Sequence, residues 1–141
     1  MNNSILKMLK NLTRDINSAP DLEASLRIIV QRISSGMQVQ VCSLFLWNDE
    51  KREYRLMATE GLNNALIGKS TLGANEGIIS VVGKREEPIN LADASKHPAF
   101  AYIPELGEDK FKAFLAVPIM HQRRLLGVLA VQREEAKQFD E

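Results

Sequence analysis

The chain holds one cysteine, Cys42, and two histidines, His97 and His121, among its 141 residues. A lone thiol closes no internal disulfide, and three such residues far apart in sequence lack the spacing of a metal site. Net charge is missing as well. Eighteen Lys and Arg balance eighteen Asp and Glu, so no strong field draws in nucleic acid or an anionic membrane. The basic pairs Lys51-Arg52, Lys84-Arg85 and Arg123-Arg124 are short enough to be ordinary exposed turns. No apolar run approaches the roughly 18 residues of a membrane span. The opening, MNNSILKMLKNL, has neither the apolar centre nor the small-residue cleavage site of a secretory signal. These absences predict a reducing, cytoplasmic home, with no nucleic acid and no membrane as partner.

Catalytic signatures are absent too. The chain has no G-x-S-x-G, no H-E-x-x-H and no phosphate loop; Gly68-Lys69-Ser70 lacks the upstream glycine. Gly73 and Gly77 read as a loop, because no βαβ unit surrounds them. The polar set Asp93, Lys96 and His97 invites a catalytic reading, but His97 precedes Pro98, which favours extended loop backbone. His97 and His121 are therefore expected as hydrogen-bonded loop and turn residues, with no catalytic residue and no metal in this chain.

What is present is ordinary globular material, 45% hydrophobic and 26% charged, at the commonest length for one domain. Ile5, Leu9, Leu12 and Ile16 form one helical stripe. Ser18, Pro20 and Asp21 signal a second helix start, and Leu22, Leu26, Ile29, Val30 and Ile33 make its stripe, which stops near Gly36. The two stripes either lie together on a sheet or pair with the same stripes of a second chain. Residues 39–47 alternate two largely apolar sets, a strand covered on both faces, and residues 53–61 form its hairpin partner. Residues 112–120 and 125–132 flank the turn HQRR as a second hairpin, with Pro118 at an edge or bulge.

Between the hairpins a short helix over 77–83 begins at an Asn75 cap and ends at Gly83, followed by a short strand, PINLA. A helix start offers unpaired N–H groups and partial positive charge, where Gly77 would let a ligand come close to the backbone. The plain alternative is a buried helix packed on the sheet. Asn90, a polar side chain on that short strand, needs a partner and joins the candidate pocket. The predicted fold is α+β: an antiparallel sheet of about six strands, N-terminal helices on one face, and a short helix plus loops on the other. At the end, Phe139, Asp140 and Glu141 read as the first turn of a further helix, so residues 1–141 are expected as one domain whose closing helix lies beyond them.

The order EGIISVVGKREEPINLADASKHPAF, KAFLAVPI and LLGVLAVQ resembles the GAF domain family of small-molecule sensors over roughly residues 20–141. MATEGL, FKAFLAVPI and RRLLGVLAVQ bring it nearer to the amino-terminal GAF domains of nitrogen-related phosphotransferase enzymes. The resemblance implies a ligand pocket walled by Ser43, Thr59, Ile78 and Ile79, with Tyr102 and Glu105 from the loop. It implies a small metabolite as ligand, glutamine or 2-oxoglutarate, and regulation of the phosphotransferase domains of the same chain. It also implies no cofactor in this domain and magnesium for the larger enzyme; a homodimer is the expectation carried by the two helical stripes. The phosphorylated histidine of such enzymes lies in later domains. The sulfoxide-reducing members' cysteine set is absent, and Cys42 is not where tetrapyrrole-attaching members hold theirs.

Overall fold

The computed structural model of the chain describes residues 19–101 and 110–139. Helix α1 spans Ala19–Met37, followed by strands β1 (Val41–Asn48), β2 (Glu53–Glu60) and β3 (Thr71–Gly73), helix α2 (Gly77–Arg85), and strands β4 (Ile89–Leu91), β5 (Ala113–His121) and β6 (Arg124–Arg133). Single 3-10 turns at Asn64–Leu66 and Ala94–Lys96 occupy the connections. The strands form one antiparallel sheet in the order β3-β2-β1-β6-β5-β4. The fold is α+β, as the patterning predicts.

Strand alternation sorts the core into two layers. Cys42 and Leu44 of β1 face α1, with Leu129 and Val131 of β6 and Leu26, Ile29 and Val30 of the helix. Phe45 of β1 faces the other way, with Leu56, Val128, Ala130 and Phe114, and meets Ile78, Ile79 and Val82 of α2. A strand in the middle of a sheet with a helix on each side has no solvated face, which is why β1 reads as continuously apolar. Pro118 lies past the end of β4, which pairs only with Phe114–Ala116, so the missing N–H faces no β4 partner. A register shift follows between Ile119 and Met120.

Two helix ends differ from expectation. α1 runs through Gly36 and stops at Gln38, whose φ of 56° is left-handed. There the Gln38 N–H donates to the Ser35 carbonyl (3.3 Å) and the Val39 N–H to the Ser34 carbonyl (3.0 Å), the two bonds of a Schellman ending. α2 likewise passes Gly83 and ends at Glu86 in the left-handed region, its N–H bonded to the Val82 carbonyl. Gly83 has another reason. A Cβ there would collide with the hydroxyl of Tyr54, a residue only 2% exposed, so the absent side chain lets β2 approach the helix. The stripe at residues 5–16, the cap at Ser18 and the final pair Asp140 and Glu141 lie outside the described residues, as does the side chain of Leu22.

Candidate functional site

The start of α2 is built from the turn after β3. The Glu76 N–H donates to the Gly73 carbonyl at 3.1 Å, and its carboxylate accepts from the Gly73 N–H at 3.0 Å, so Glu76 braces the turn from both ends. Glu76, not Asn75, occupies the capping position; its carboxylate is turned to the Gly73 N–H, and the first helical N–H groups have no side-chain cap. The Asn75 side chain is 3.5 Å from the Lys84 ammonium instead. Gly77 has φ +79°, and a Cβ there would meet Ala101 and Leu72 at 3.5 Å, an ordinary contact. Backbone conformation is therefore what requires glycine at this position.

In front of that turn lies a cavity of about 40 Å³ between α2 and the sheet. Gly77, Ile78 and Ile79 supply its helix side, Phe45, Phe114, Ala130 and Gln132 its sheet floor, and Leu72, Phe100, Ala101 and Phe111 its rim. The volume holds a water or two and falls far below the roughly 300–1,000 Å³ of ligand clefts. Among the described lining residues none is charged. Gln132, 3% exposed, brings the one side-chain amide. A second recess, of about 650 Å³ beside Gln38, Gln40, Arg133, Glu134 and Glu135, opens broadly to solvent.

The expected pocket residues divide. Gly77, Ile78 and Ile79 border the cavity. Ser43 and Thr59 are opposed across β1 and β2 and share a hydroxyl–hydroxyl hydrogen bond of 2.8 Å, buried at 1% and 3% exposure. They alternate with Cys42 onto the cavity-side face but do not border the cavity. Asn90 departs from expectation altogether. Ile89 and Leu91 pack on the cavity side, which turns the residue between them to the α1 face. There its amide donates to the Phe139 carbonyl (2.7 Å) and accepts from the Phe139 N–H (2.9 Å). Tyr102 and Glu105 lie outside the described residues. Gln132 and the phenylalanine floor went unrecognised, although Gln132 is the polar member of the inward set Val128, Ala130, Gln132.

The polar loop before Phe100 is engaged in its own folding. Asp93 accepts from the Ser95 hydroxyl (2.6 Å) and the Ser95 N–H (3.0 Å), and the hydroxyl bond chiefly holds its carboxyl below the ordinary range. His97 Nδ1 accepts from the Ala99 N–H at 3.0 Å. His97 thus carries a loop hydrogen bond, and no nucleophile is within its described hydrogen bonds. Among the described residues no three of His, Cys, Asp and Glu stand close enough to share a metal ion, and no helix is long and apolar enough to cross a membrane.

The GAF domain model matches residues 21–141. The "Phosphoenolpyruvate-dependent phosphotransferase system" protein of Escherichia coli is 47% identical over 137 residues, 97% of this chain and 18% of its own length, so the chain spans under a fifth of that relative. The solved GAF domain of a phosphoenolpyruvate-protein phosphotransferase (ptsP) from Coxiella burnetii is 48% identical, with a TM-score of 0.81, over 96% of this chain and 81% of that one. That of an Acinetobacter phosphoenolpyruvate-protein phosphotransferase is 38% identical, with a TM-score of 0.76, over 100% of this chain and 84% of that one. Matching along nearly its whole length, with the six-stranded sheet and α2 set as described, the chain belongs to the GAF domain family.

Proposed function

We propose that this GAF domain regulates a phosphoenolpyruvate-protein phosphotransferase of which it forms part, by binding a small metabolite in the cavity before α2. The observation that carries the reading is the uncapped first turn of α2, whose residues Gly77, Ile78 and Ile79 border a void. Bond-making belongs to other domains of the parent enzyme, with magnesium as its cofactor, and the setting is cytoplasmic. Glutamine and 2-oxoglutarate are the candidate ligands, which would tie the transfer to nitrogen status. Of the two, glutamine suits the described lining better. Its side chain carries no second charge, whereas a second carboxylate would be buried with no described cation beside it.

Either ligand needs a larger space than 40 Å³, so binding requires the rim at Phe100, Ala101 and Phe111 to move outward. Calorimetric titration of the chain with each metabolite tests this. Saturable heat that is lost in Ile79→Trp, which fills the cavity from its helix side, is expected; no heat from either metabolite rejects both ligands.

The same small volume favours a second reading, a ligand-free module that dimerises and transmits strain between domains. Ile28 and Met37 on α1, each 45% exposed, are apolar side chains available to a partner copy.

A further inference from the structure

The two strands that flank β5 each place one residue toward the cavity and the adjacent one toward residues 137–139. On β4, Leu91 packs on the cavity side, in register with Phe114 of the cavity floor, while Asn90 grips Phe139 on the opposite face. On β6, Gln132 faces the cavity in register with the same Phe114, while Arg133 turns to the same tail. Its guanidinium Nη2 donates to the carbonyls of Lys137 (2.7 Å) and Gln138 (2.9 Å), and its Cζ lies 4.2 Å from the centroid of the Phe139 ring. Gln138 adds a bond from its amide to the Asn90 carbonyl at 3.1 Å. Phe139 is thereby seated in the α1-side core at 6% exposure.

Both backbone groups of Phe139 are paired with one side chain, that of Asn90, as a strand partner would pair them. β4 itself is three residues long, at the sheet edge, and among the described strands it pairs with β5 alone. Such a strand is among the first elements of a domain to shift.

We propose that Asn90 and Arg133 form a clasp that couples the cavity wall to the segment 137–139, so that displacement of Phe114 loosens or tightens the seating of Phe139. The regulatory meaning of the clasp rests on the sensing role proposed for the cavity; the coupling itself does not. A movement of Phe114 pushes Leu91, β4 shifts as a unit because its three residues pair with a single stretch of β5, and the Asn90 amide carries that shift across the sheet.

Amide hydrogen exchange at Phe139 reads the clasp directly, since that N–H is donated to Asn90. Asn90→Leu should speed exchange there about tenfold, the effect of removing a buried hydrogen bond, while Leu44 at the sheet centre stays protected. Phe114→Leu should speed exchange at Phe139 several-fold when Asn90 is present and add nothing in the Asn90→Leu background. Should Phe114→Leu fail to fold, Leu91→Val makes a milder change on the same path and is read the same way. Unchanged exchange at Phe139 in the wall variants, or an equal acceleration without Asn90, overturns the proposal. No metabolite enters these measurements, so they fail or succeed independently of the calorimetric titration.

Discussion

Cys42 has 0% exposure beneath α1, and burial, with a smaller contribution from Glu60, raises its thiol from 9.0 to about 12. A thiol held neutral in the folded state and free to ionise in the unfolded one stabilises the fold below pH 9. That contribution declines as pH rises from 9 toward 12, because only the unfolded chain gains the charge. Native chain should therefore react with a thiol reagent at pH 8 only as fast as it unfolds, and urea should release the reaction. Cys42→Ala should flatten the fall in stability above pH 9, measured by urea unfolding at a series of pH values. The burial was legible from the sequence, since Cys42 sits between Val41 and Leu44 in an apolar run. Asn90 was legible only by half. A polar residue on a buried strand did need a partner, but the partner is a backbone 49 residues away, a distance no local pattern encodes.

The helix ends show where local rules mislead. Gly36 and Gly83 both read as terminators, yet each helix continues past its glycine and a long polar residue, Gln38 or Glu86, takes the left-handed position. The end of α1 is held by bonds to the residues just beyond it, among them the Ser34 hydroxyl donated to the Val39 carbonyl at 2.7 Å. α1 consequently carries glycine inside its last turn and a side chain where glycine fits best. A Cβ at position 36 would meet nothing within 4 Å, so Gly36→Ala should stabilise the chain by about 0.5–1 kcal/mol. Gln38→Gly should add about 1 kcal/mol by relieving the left-handed strain. The pair together should raise the thermal midpoint by roughly 4–8 °C, read by calorimetry. Strands were easier to read than helix ends, because β1 and β6 are covered on both faces and so stand out as continuous apolar runs.

Over the whole molecule, the sheet divides the interior into an α1-side core and a cavity-side core that share no described side chain. This division was visible in the alternation of β1, but the size of the cavity was not, since volume depends on how Phe45, Phe100 and the pair Phe111 and Phe114 converge from three separate segments. Leu26, Ile29 and Val30, the described part of the second stripe, are packed on the sheet, so the dimer of the second proposed reading would have to use the outer side of α1. Light scattering at tens of micromolar should give twice the 15.8 kDa chain mass, and Ile28→Glu should return it to a single chain. A single-chain mass at that concentration would remove the dimer and leave the sensor reading untouched. The paired hydroxyls of Ser43 and Thr59 bear on all of this. Sliding β2 by one residue would part them and leave two oxygens stranded in the interior, at about 1–3 kcal/mol each. It would also exchange the floor of one chamber for the ceiling of the other. Two small alcohols thus act as a latch against misthreading, beside the irregularity in the β1–β2 pairing, between Leu44 and Phe45, where such a slip would be easiest.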